Sequence, residues 1–137
     1  VAESLPPLRA AVALAGGEPL IASMLGHALV QAGEGGDQAA FAEAETVLKT
    51  ALARDPRNPF AWLQLETVYE RRGDGPRLAL ATAERLTLSG GDPRAMLNAA
   101  TTAVAGLPRD TPEWRRAQDI AQVARNAVED EKREGRN

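Results

Sequence analysis

The chain contains no cysteine. That excludes disulfides, thiolate metal sites and a cysteine nucleophile. It leaves the compartment open. Histidine occurs once, at His27, so a zinc site built on two histidines one helical turn apart has no material here. Aromatic residues are scarce, and runs of β-branched residues are too few to suggest a sheet. No stretch approaches the roughly 18 consecutive apolar residues of a membrane span. No signal-peptide pattern is present, and Val1 in place of a methionine reads as an excised or processed piece. The 16 lysines and arginines are scattered, with no basic stripe, and the net charge is −3. A nucleic-acid footprint is therefore not expected.

What is present is alanine, 27 residues of it, in a chain that is 44% hydrophobic. The length of 137 residues suffices for one domain with its own core. Gly and Pro punctuation divides it into six full helices and one partial one. The expected spans are 5–15, 19–32, 38–54, 59–72, 76–89, 93–106 and 112 to about 132. Gly16-Gly17, Gly33, Asp55-Pro56, Gly73-Asp74-Gly75, Gly90-Gly91 and Pro108 separate them. Asn58, Asp92 and Thr111 each precede a proline that suits the first helical turn. Glu129 to Arg136 is polar apart from Gly135 and is expected to fray.

Two of these helices share a signature. Ala22, Leu25-Gly26, Leu29 and Gly33 stand forty residues before Trp62, Leu65-Glu66, Tyr69 and Gly73. Both have the spacing 4-7-8-11-15 of the tetratricopeptide repeat, a helix–turn–helix unit. Ala44, Leu48, Ala51 and Pro56 resemble the second half of that repeat. The period is longer than the usual repeat, and the surplus falls in the loop at 34–38 and the start of helix 38–54. The expected fold is all-α, a right-handed tetratricopeptide-like solenoid of antiparallel helix hairpins forming a single domain over 1–137. Its units are 19–56, 59–90 and 92–134, with 5–15 a remnant helix of an upstream unit. The register of the third unit stays open, because 76–89 fits two frames.

The wording of the repeats carries a further likeness. Pro19-Leu20-Ile21, Leu25-Gly26-His27-Ala28-Leu29 and Asp55-Pro56-Arg57-Asn58-Pro59-Phe60-Ala61-Trp62 occur in order. Ala83-Glu84-Arg85 and the run from Thr111 to Ile120 follow. Over roughly residues 5–130 the chain resembles the C-terminal tetratricopeptide region of α-proteobacterial zinc-dependent proteases of the periplasmic β-barrel assembly-enhancing type. That resemblance implies a periplasmic setting, against a cytoplasmic alternative. It also implies a non-catalytic region that holds the protease near its substrates and partners. The catalytic HExxH motif is absent, with Ala28 and Leu29 following His27, so no catalytic residue, metal ligand or cofactor carries over.

Expected functions are accordingly of the binding class. The partner would be a protein or peptide, the parent's own protease domain among the candidates. A stand-alone scaffold in another assembly, such as cytochrome c maturation, is the alternative. A structural or homodimerising role without a foreign ligand is the third reading. In the repeat frame the concave positions are Leu20, Ser23, His27 and Val30 in one unit and Phe60, Leu63, Thr67 and Glu70 in the other. Leu20, Val30, Phe60 and Leu63 make that face unusually apolar, and an exposed apolar patch marks binding sites. It is either free or covered by an upstream helix, a subunit or the inserted loop. Lys and Asn, which clamp a peptide carboxylate, are absent from these positions. His27 reads either as a groove contact or as a half-buried histidine. Trp62 and Tyr69 are expected in the core, with Trp62→Ala costing about 3–5 kcal/mol. Trp114 is expected to pack on helix 93–106. Glu43 with Glu45, Glu129 with Asp130, Arg71-Arg72 and Arg115-Arg116 read as surface charge rather than acid/base pairs or anion sites.

Overall fold

The computed structural model describes residues 5–14 and 19–135, and of 12–14 the backbone only. Among these residues it is all-helical. The helices are α1 (Leu5–Leu14), α2 (Pro19–Glu34), α3 (Ala39–Arg54), α4 (Pro59–Arg72), α5 (Gly75–Ser89), α6 (Pro93–Gly106) and α7 (Pro112–Gly135). The Gly16-Gly17 break lies outside the described residues. The chain forms two compact units, residues 1–71 and 72–137.

In the first unit, α2 and α3 form an antiparallel hairpin. Every repeat-signature residue on them is buried: Ala22, Leu25, Gly26, Leu29 and Gly33 on α2, and Ala44, Leu48 and Ala51 on α3. The glycines set the closeness of approach. A Cβ at Gly26 would stand 2.5 Å from Leu48 Cδ2, and one at Gly33 would stand 2.7 Å from the Phe41 ring. As the chain advances from 26 to 33, its partner retreats from 48 to 41. This fixes the antiparallel register.

Gly33 therefore does not stop the helix, contrary to its reading as a terminator. A buried helical glycine costs about 1 kcal/mol in propensity, but here it makes room for an aromatic ring. The stop comes at Gly36, whose φ of 118° only glycine adopts readily. Asp37 N–H donates to Ala32 O at 3.1 Å, and Gly36 N–H donates to Gly33 O at 3.1 Å. That pair of bonds satisfies carbonyls the helix end would otherwise leave open.

α1 packs on α2 with Leu5 buried. Arg9 on α1 reaches Glu43 on α3 through Nε at 2.9 Å and Nη2 at 2.6 Å. α4 starts at an Asn58 cap, whose Oδ1 accepts from Ala61 N–H at 3.2 Å. It buries Ala61, Gln64, Leu65, Val68 and Tyr69. Trp62 corrects the expectation of a core tryptophan. It is only half-buried, and its Nε1–H donates to Pro56 O at 3.4 Å. Ala61 takes the inward position instead. Trp62→Ala should then cost about 1–2 kcal/mol by urea denaturation, below the range of a fully buried aromatic. A loss as large as that of a fully buried aromatic would show the ring to be core.

In the second unit, α5, α6 and α7 pack around a small-residue core. Ala79, Leu80, Ala83, Ala100, Ala103, Leu107, Ala117, Ile120 and Ala121 fill it. Alanine at the contacts lets the backbones approach closely. Each helix is capped from its own sequence. Asp74 Oδ1 accepts from Arg77 N–H and Asp92 Oδ1 from Arg94 N–H, both at 3.2 Å. Thr111 Oγ1 accepts from Trp114 N–H at 3.3 Å. Trp114 packs on this core and carries the Arg109 guanidinium 5.7 Å from its ring centroid.

The polar end of α7 remains helical to Gly135 rather than ending near 132. Lys132 pairs with Glu129 and Arg133 with Asp130, each three residues apart. Such pairs add a few tenths of a kcal/mol each, and the two basic residues suit the helix C-terminus.

Candidate functional site

The eight sequence-derived positions divide in the structure. Leu20, Phe60 and Leu63 are 67%, 43% and 46% exposed. Glu70 is exposed, and His27 and Thr67 are half-buried. Ser23 and Val30 are corrections: each is only 2% exposed and faces no solvent. Ser23 is consumed structurally, its Oγ accepting from Asn58 Nδ2 at 2.9 Å. The same Asn58 caps α4, so one side chain both starts that helix and ties it to α2. Val30 joins the interior side of α2, beside Leu29. The repeat frame places both residues on the concave face.

Met24 was missed as a site residue. It is 52% exposed. Its signal was available, since it lies one turn after Leu20 on the same row.

Three contacts place α2 beside α4. Ser23 bonds Asn58, the His27 and Phe60 rings lie 5.5 Å apart at 52°, and Arg71 pairs with Glu34 at 3.8 Å. The partners advance together along both helices, so α2 and α4 run parallel. The outward row of α2 carries Leu20, Met24, His27 and Gln31. The outward row of α4 carries Phe60, Leu63, Thr67 and Glu70. The His27–Phe60 contact joins the two rows into one strip, with four large exposed apolar side chains. Such a strip can bury apolar area against a partner at about 25 cal/mol per Å². His27 Nδ1 is buried and has no hydrogen-bond partner among the described residues.

Several of the remaining charges pair between helices. Glu43 holds Arg9, Glu84 holds Arg116 at 2.6 Å, and Glu113 holds Arg77 at 3.2 Å. The hydrogen bonds that Arg116 donates to the Glu84 carboxylate raise its pKa, against the opposing effect of burial. No group of three or more His, Asp or Glu that could hold a metal occurs among the described residues. None of their helices is long and apolar enough to cross a membrane.

The second unit has a cleft of about 370 Å³ between α6 and α7. Val104 and Ala121 line it with Thr101, Gln118, Asp119, Gln122 and Arg125. Gln122 and Arg125 are bonded to each other at 3.4 Å. The volume is at the low end of ligand sites, and the lining is that of a furrow between two packed helices.

Comparison with protein-family models, with curated proteins and with solved structures finds no match to this chain.

Proposed function

We propose that the chain is a protein–protein docking module of tetratricopeptide type, and that its docking surface is the α2/α4 strip. The observation that carries this reading is the exposure of Leu20, Met24, Phe60 and Leu63 on two adjacent parallel helices. Soluble surfaces scatter single apolar residues, whereas a contiguous row of large ones marks an interaction site. Three local features support the repeat assignment. The signature residues of α2 and α3 are buried together, Gly26 and Gly33 let the hairpin close, and α2 lies parallel to α4 as first helices of successive repeats would. On this reading the helices form a solenoid, and the chain binds rather than catalyses. The resemblance of its phrasing to periplasmic zinc-protease C-terminal regions supports reading it as the non-catalytic, partner-holding part of such a protein.

The test is a pair of substitutions on the strip, Leu63→Glu and Phe60→Glu, read against a panel of labelled amphipathic peptides by fluorescence anisotropy. Loss of an apolar anchor should weaken binding at least about tenfold. Melting should move little, since exposed positions contribute within about 0.5 kcal/mol. Unchanged binding would place the docking surface elsewhere. A large loss of stability would make these side chains core.

A further inference from the structure

We infer that the strip takes an amphipathic helix of another protein, lying antiparallel to α2 and α4 with a lysine or arginine near its N-terminal end; this rests on the docking reading above. The strip is polarised along its length. Because α2 and α4 run parallel, their C-terminal ends, each with partial negative charge, lie at the same end. Glu70 stands there, exposed and without an ion-pair partner among the described residues. The cation next to it in sequence is engaged elsewhere. Arg71 turns to α2 and pairs with Glu34. Arg72 is two positions on, about 200° around the helix from Glu70.

The opposite end differs. Neither α2 nor α4 has an acidic residue in its first turn, and Asn58, which caps α4, is uncharged. The four large apolar side chains gather towards that end. Thr67, Gln31 and Glu70 occupy the other.

A helix laid antiparallel on the strip brings its positive N-terminus over the negative end. It also brings its negative C-terminus towards the positive N-terminal ends of α2 and α4. A parallel helix would oppose like with like. From Phe60 to Glu70 is about 15 Å, or three turns. The partner thus offers apolar residues at i, i+3 or i+4 and i+7, with its cation ahead of them.

The probe is a pair of labelled helical peptides of about five turns, identical in composition and stapled to equal helicity. One carries two lysines near its N-terminus and the other carries them near its C-terminus, with the same leucine stripe. At low salt the N-basic peptide should bind about threefold more tightly, as expected for an exposed charge pair. Glu70→Lys should abolish or reverse that preference, and Leu63→Glu should weaken both peptides. Equal binding of the two peptides, a preference that survives Glu70→Lys, or binding of neither overturns the inference. If the peptides bind and Leu63→Glu weakens neither of them, the docking reading itself fails.

Discussion

Phe41→Ala should destabilise the chain by about 3–5 kcal/mol in urea denaturation. The ring is 2% exposed and is among the largest fully buried side chains. It seats against Gly33, where three ring atoms lie within 2.8 Å of where a Cβ would be. The contact closes the far end of the α2–α3 hairpin, next to the loop. Truncation removes the ring's transfer free energy and leaves a void facing a glycine, which has no side chain to relax into it. A helix hairpin is poorly able to close such a void, because the backbone bonds from Gly36 and Asp37 fix the end of α2 at the loop. Small domains hold only about 5–15 kcal/mol in total, so the variant should sit near its unfolding midpoint at modest urea. A loss below about 1.5 kcal/mol would mean that the ring is not wedged between these helices.

The helices were legible because their ends are written locally. Asn58, Asp92 and Thr111 cap with their own side chains, each next to a proline that fits the first turn. Spacing alone also places Leu25, Leu29, Ala44 and Leu48 on apolar helix faces, and all four are buried. The failures have a common physical origin. A repeat frame gives an angle around a helix, not what lies across from it. Ser23 has the outward angle, but Asn58, 35 residues away, covers it and takes its hydroxyl. Trp62 has the inward angle, but α4 is rotated so that Ala61 faces the core and the indole lies along the side.

Gly33 failed for a different reason. A glycine near a helix end reads as a stop, and only the position of Phe41 shows that it is a seat. At the strip, the sequence supplied Leu20, Phe60 and Leu63. It could not supply the His27–Phe60 contact that joins the two rows, which depends on α4 lying beside α2.

Gly33→Ala should destabilise by about 1–3 kcal/mol in the natural chain and become neutral or stabilising in a Phe41→Ala background. In an exposed helix interior the same change would stabilise by about 1 kcal/mol, because alanine is the better helix former. Gly33 is helical and its φ is not among the positive ones, so the backbone accepts alanine without strain. What resists is Phe41. The new methyl would overlap Cε1 and Cζ at 2.7 Å and Cδ1 at 2.8 Å. The ring is buried and cannot swing into solvent, so the helices must part or the ring must leave its rotamer. Both cost more than the propensity gain. Once the ring is removed, the methyl fills part of the cavity and the propensity gain reappears. The two changes should therefore couple by about 1–3 kcal/mol in a double-mutant cycle. A cycle that closes with no coupling would separate residues 33 and 41. It would also undo the antiparallel register that sets α2, and with it the outward row of Leu20 and Met24.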